Sequence, residues 1–148
     1  MDQFDRKIIA ELRKNGRITV TELASKVGLS KTPCIHRMRK LEESNHILGY
    51  TAIVDPVKQG AGHIAFVQVI LSDTRSKALS EFNHAIQKIP AVTQCHMMAA
   101  GFDYLLKVRT RDINDFRKML GEELSNLPHV SHTSTFVAME AVKDIGQN

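Results

Sequence analysis

The spacing of hydrophobic positions changes repeatedly along this chain. From Asp2 to Lys14 it is helical: Phe4, Ile8, Ile9 and Leu12 form one stripe, Asp2 or Asp5 suits the amino-terminal dipole, and Asn15-Gly16 supplies a stop. Between Thr19 and Leu41 the pattern predicts two short helices joined by a tight turn. Thr19 and Glu22 form a capping box, and Leu23, Ala24 and Val27 make one apolar face. Gly28 ends the first of these helices, because glycine adopts the left-handed backbone without steric cost. Ser30 reads as the second N-cap, with Pro33 in the first helical turn. Cys34, Ile35, Met38 and Leu41 then share one side of the wheel. Thr32, Pro33, His36 and Lys40 lie opposite, flanked by Arg37 and Arg39.

From Asn45 to Asp55 the period shortens, and Ile47, Tyr50, Ala52 and Val54 predict a short strand leaving this head. Pro56 and the run Gln59-Gly60-Ala61-Gly62 break the chain into modules: residues 1–50, a strand and hinge over 51–62, and 63–148. The second module alternates regularly. Strands are predicted at Ile64–Leu71, Val92–Met98, Tyr104–Thr110 and Val130–Val142. One helix spans Arg75–Ile89. Another, capped by Asp112, carries Ile113, Phe116, Leu120, Leu124 and Leu127, and Pro128 stops it. The order βαββαβ is the ferredoxin-like unit, so the fold class is α+β: a helix-turn-helix (winged) or tri-helical head plus a ferredoxin-like domain. Ile64, Phe66 and Ile70 alternate with Ala65, Val67, Val69 and Leu71, so neither face of the first strand is polar. Helices cover one face of such a sheet, and the other requires a second copy of it; the chain is therefore expected to dimerise through this module.

Composition changes the picture mainly through charge. Residues 1–50 contain ten Lys/Arg against six Asp/Glu, whereas the remainder balances at ten and ten. No acidic residue lies between Glu22 and Glu42, where Lys26, Lys31, Arg37, Arg39 and Lys40 are found. This asymmetry assigns nucleic-acid binding to the head and a different task to a neutral module. No apolar run approaches the ~20 residues of a membrane span, so no membrane role is expected. Cys34 and Cys95 stand far apart without metal-ligand spacing, which fits a reducing cytoplasm and argues against a disulfide or metal site. No nucleophile triad, phosphate loop or dinucleotide fingerprint is present, so neither an enzyme nor a cofactor is expected.

For double-stranded DNA, the candidates are Thr32, Pro33, His36 and Arg37 in the groove. Lys31, Arg39 and Lys40 are assigned to phosphates, aided by the Ser30 hydroxyl. Arg37 is the foremost base reader, since arginine on guanine is the commonest specific contact. For a small-molecule effector, the turn Ala100-Gly101-Phe102-Asp103, flanked by Met98 and Tyr104, offers an approachable backbone and a carboxylate for an ammonium group. Ser131, Thr133 and Thr135 add a row of hydroxyls at strand spacing.

The segments DRKIIAEL at 5–12, GRITVTELASKVGLS at 16–30, TPCIHRMRKLEE at 32–43, ILGYTAIVDP at 47–56, GFDYLLKV at 101–108 and LPHVSHTST at 127–135 resemble the Lrp/AsnC regulators over nearly the whole chain. The likeness is greatest to regulators of the proline-catabolism activator type. It implies an amino-acid-sensing second module, homodimers assembling into tetramers or octamers, and effector pockets at the turn completed by a neighbouring subunit. Many members carry a glycine where Ser44-Asn45-His46 ends the recognition helix; asparagine tolerates the same left-handed backbone. A nucleoid-type architectural protein would share the basic head. A footprint confined to a few promoters and altered by an amino acid distinguishes the regulator.

Overall fold

The computed structural model describes residues 1–144, which fall into two compact units, Met1–Ala52 and a second that begins at Ile53. The first contains α1 (Gln3–Lys14), α2 (Val20–Val27) and α3 (Lys31–Glu43). Each start has a local cause. Asp2 and Asp5 form a reciprocal capping box at α1, and Thr19 and Glu22 form another at α2. Gly28 ends α2 at φ 77°, the left-handed conformation that its lack of a side chain allows. At the end of α3, Asn45 takes φ 55°, so asparagine does provide the left-handed stop. Ile8, Leu23, Ala24, Val27, Cys34 and Leu41 are buried together as the core of this unit. Ile35, expected on the buried side of α3, is exposed; Cys34 and Leu41 are buried there and Met38 packs partly buried against the same core.

One expectation for the head fails, and another holds in position only. The Asn45–Asp55 strand does not form, and no strand occurs among residues 1–52, so the head is tri-helical without a wing. Alternation alone does not make a strand; the segment needs an edge to pair with, and its Leu48, Ile53 and Val54 side chains remain exposed. Ser30 occupies the N-cap of α3, yet its hydroxyl makes no capping bond. Pro33 is the third residue of that helix, and it lacks the N–H that such a cap would accept.

The second unit has β1 (His63–Leu71), α4 (Ser76–Ile86), β2 (Val92–Met97), β3 (Tyr104–Thr110), α5 (Ile113–Glu122) and β4 (Val130–Val137). All pairings are antiparallel in the order β2-β3-β1-β4, the ferredoxin-like arrangement. Ala65, Val67, Val69 and Leu71 of β1 pack with Tyr104, Leu106 and Val108 of β3 against Phe82 and Ile86 of α4 and Phe116 and Met119 of α5. The expected long second helix stops at Glu122. Leu124 belongs to a short 3-10 turn and Leu127 follows it, both turned into the same core.

The opposite face carries Ile64, Phe66, Gln68 and Ile70 of β1 beside Phe136 of β4, which stands in register with Phe66. Phe66, Ile70 and Phe136 are 37%, 36% and 54% exposed. One end of this face is covered by the chain itself, whereas a second copy alone is expected to cover it. β4 ends at Val137 instead of Val142, because β1 begins at His63 and offers no partner beyond the bond from Ala138 N to Ile64 O. The segment after it crosses Ile64 and Phe66 and brings Asp144 to the buried Lys107, at 2.8 Å, and to Arg109. Arg109 also donates to the Ala61 carbonyl in the hinge segment.

Candidate functional site

In the head, α3 presents Lys31, Thr32, Pro33, His36, Arg39 and Lys40 to solvent, with Ser30 exposed at its start. With the Ser30 hydroxyl uncapped and the first backbone N–H groups unpaired within the helix, this end carries hydrogen-bond donors and a positive dipole suited to phosphate. Together these residues can bind an anionic backbone and reach base edges from one short helix.

Arg37 departs from the free base reader expected. Its Nη1 donates to Asp2 Oδ2 at 2.6 Å and to Asp5 Oδ1 at 2.7 Å, and its guanidinium lies 5.3 Å from the centre of the Phe4 ring. Both carboxylates are also used in the capping box, where Asp2 N donates to Asp5 at 2.9 Å and Asp5 N donates to Asp2 at 3.0 Å. The Asp5 and Asp2 carboxylates hold the guanidinium above its ordinary pKa. Backbone donors and Arg37 in turn hold both aspartates below theirs. An open cleft of 470 Å³ between this cluster, Pro33, His36 and Lys40 marks where α1 meets the cationic helix. A helical wheel could not reveal this arrangement, because the two partners lie 35 and 32 residues away.

In the second unit, the β2–β3 turn is tied to the far end of β1. Asp103 N donates to Val69 O at 2.9 Å, Met98 N donates to Asp103 O at 2.9 Å, and Leu71 N donates to Asp103 Oδ2 at 2.7 Å. Asp103 therefore shapes the turn, and its other carboxylate oxygen has no partner among the described residues. Ala100 and Gly101 are exposed, open space surrounds the Gly101 backbone, and Met98 and Phe102 flank the turn. Tyr104 does not join them. It is 2% exposed, with its ring 4.4 Å from Phe82 and its hydroxyl donating to Asn83 at 2.7 Å.

The expected row of hydroxyls is broken as well. The register shifts between Ile70 and Leu71, which leaves Ser131 as the extra residue of a bulge, its hydroxyl donating to Ile70 O at 2.9 Å. Thr133 and Thr135 remain on one face, opposite Val69 and Val67 on the helix side of the sheet. The turn and β4 thus reach the same end of β1 from its two flanks. The two cysteines are free thiols; burial raises Cys34 and pushes Cys95 up to about 11. Among the described residues no group of His, Cys, Asp and Glu is arranged to hold a metal ion, and no helix is long and apolar enough to cross a membrane.

A tri-helical head with a cationic helix, in one chain with a βαββαβ unit, is the two-domain arrangement of a DNA-binding regulator. The comparisons with known proteins agree. The family model of the AsnC-type helix-turn-helix domain matches residues 1–42, and that of the Lrp/AsnC ligand binding domain matches residues 64–147. The chain belongs to the Lrp/AsnC family of transcription regulators and is not an enzyme. It is 55% identical over 146 residues to the proline dehydrogenase transcriptional activator of Rhizobium radiobacter, covering 99% of this chain and 94% of that one. To the leucine-responsive regulatory protein of Klebsiella pneumoniae it is 45% identical over 143 residues, 97% of this chain and 87% of that one. A transcriptional regulator from Neisseria meningitidis solved as an L-Met complex superposes with a TM-score of 0.90 at 29% identity, over 97% of this chain and 93% of that one.

Proposed function

We propose that this regulator binds specific double-stranded DNA as a homo-oligomer and responds to an amino acid held at its β2–β3 turn. Thr32, Pro33 and His36 face base edges. Lys31, Arg39, Lys40 and Ser30 hold phosphates. The effector's ammonium meets Asp103, its backbone atoms approach Gly101, and residues of a second copy complete the pocket. Assembly proceeds through the sheet face bearing Phe66, Ile70 and Phe136 to a dimer, and from dimers to a tetramer or octamer. The observation that carries this reading is the divided Asp103 carboxylate: one oxygen fixes the turn on Leu71, and the other is open beside exposed backbone. That an L-Met complex exists for a structurally similar regulator supports an amino acid as ligand.

Two substitutions separate the roles of Asp103. D103N keeps an acceptor for Leu71 N but removes the charge; D103A removes both. In a thermal-shift screen against the twenty amino acids, a ligand of the native state raises the wild-type melting temperature. D103N should abolish that shift while retaining the unliganded melting temperature and DNA binding, whereas D103A should also lower the melting temperature. An unchanged ligand shift in D103N refutes the assignment.

A further inference from the structure

The head contains a contact that works against its own charge. Arg37 lies on the DNA-facing helix, within a stretch from Lys26 to Lys40 that has no acidic residue, yet it meets two carboxylates at hydrogen-bond distance, where Lys26 meets only Glu11, at 3.4 Å. These carboxylates are themselves fixed: the capping box holds one oxygen of each, and Arg37 takes the other. The Phe4 ring lies beneath the guanidinium. With Nη1 on both carboxylates and Phe4 at its face, the guanidinium's charge is compensated within the head, although its remaining N–H groups have no partner among the described residues. By contrast, neither Lys31, Arg39 nor Lys40 makes an ion pair among the described residues.

We propose that Asp2 and Asp5 are specificity-determining residues, which withhold Arg37 from the phosphate backbone and so lower the affinity of the head for random DNA. The rationale is electrostatic. Every cation that meets a phosphate releases counterions and tightens binding regardless of sequence. A regulator that must leave non-specific sites gains discrimination when one of its cations is neutralised internally, provided its base contacts are unaffected. The clamp also fastens the recognition helix to the start of α1, so the reading residues Thr32, Pro33 and His36 are carried on a helix with a fixed seat. This inference rests on the reading that α3 is the DNA-facing helix.

The test uses the full-length protein, a random duplex and the cognate site, with binding measured as a function of salt. D2N/D5N preserves capping acceptors at the start of α1 but removes both negative charges. Random-duplex binding by D2N/D5N should tighten roughly five- to tenfold near 100 mM salt, and its log–log salt slope should steepen by about 0.9, the contribution of one added phosphate contact. R37A alone should leave that slope at the wild-type value, and D2N/D5N/R37A should return to it. If D2N/D5N leaves the slope unchanged, or R37A alone makes it shallower, the inference is overturned. A triple variant that stays as steep as D2N/D5N also overturns it, because simple relief of carboxylate repulsion would then suffice. Should the double variant melt below the assay temperature, D2N alone, with one partner left to Arg37, must give an intermediate slope. K31A/K40A checks the underlying reading separately: if that variant binds DNA as the wild type does, it is the placement of α3 on DNA that fails.

Discussion

Leu23→Ala should unfold the DNA-binding unit while leaving the other one folded. Leu23 is completely buried in a core of only six fully enclosed residues, with Ile8 and Cys34 also at 0% exposure. Truncating such a leucine removes its transfer free energy and leaves a cavity, for a total of about 2–5 kcal/mol. The unit spans Met1–Ala52, and at roughly 0.05–0.15 kcal/mol per residue its whole stability is about 3–8 kcal/mol. One substitution therefore removes most of it. Hydrogen exchange read by peptide is the assay, with circular dichroism for the melting profile. In Leu23→Ala the amides of α1, α2 and α3 should lose protection at temperatures where those of β1 and β3 keep it, and DNA binding should vanish there. The ligand-induced thermal shift of the second unit should persist. Leu48→Ala, at an 89% exposed position, serves as control and should change stability by no more than about 0.5 kcal/mol. If Leu23→Ala lowers protection equally in both units through a single shared transition, the division into separate cores is refuted.

Two further outcomes follow from the same geometry. Phe66→Asp places a charge at the centre of the half-exposed apolar face; sedimentation at micromolar concentration should show the wild type as dimers or larger and the variant as monomer, and a monomeric wild type would overturn the proposed assembly. Asp2 and Asp5 have pKa values below their ordinary 3.8, first through backbone donors and then through Arg37. Depressed carboxylates stabilise the folded head above that ordinary value and cease to do so as pH falls through the lowered ones. Acid unfolding of the head should therefore begin at higher pH in R37A than in the wild type, and coincident acid transitions would contradict the sign.

Much of this was legible because it is local. A capping box needs residues three apart, as at Thr19 and Glu22, and left-handed stops need glycine or asparagine, as at Gly28 and Asn45; both are written consecutively in the chain. The βαββαβ order follows from alternating periods. What escaped depends on partners remote in sequence or on the ladder itself. Arg37 sits on the expected side of its helix, but its chemistry is set by Asp2 and Asp5. Tyr104 adjoins the β2–β3 turn and yet points the opposite way, since successive residues of a strand alternate faces and its neighbours Leu106 and Val108 line the core. Ser131 lost its place because it is itself the extra residue of the bulge and so falls out of the alternation. The clamp had a trace in the sequence: Asp2 and Asp5 are spaced as a capping box at the first helix, and carboxylates gathered there attract a cation from whichever helix packs beside them.

The proposed sensing turn and the proposed assembly face meet on one strand, and this gives the regulator a physical route between them. Three consecutive residues of β1 are engaged from outside it: Val69 O and Leu71 N by Asp103, and Ile70 O by the Ser131 hydroxyl at the bulge of β4. The Ile70 side chain stands on the uncovered face with Phe66, two residues away. In the proposed site, an effector ammonium on the open Asp103 oxygen draws charge from the carboxylate, weakens the bond from Leu71 N to its other oxygen and loosens the segment that positions Ile70. A hydrogen bond to a charged group contributes about 1.5–3 kcal/mol, and typical allosteric coupling is about 1–3 kcal/mol. A change in the strength of that one bond is thus of sufficient size, in the proposed site, to couple ligand to assembly without any larger rearrangement of the sheet. The linkage is reciprocal: a second copy that presses Ile70 into place holds Leu71 against Asp103, so assembly must alter ligand affinity by the same factor with which the ligand alters assembly.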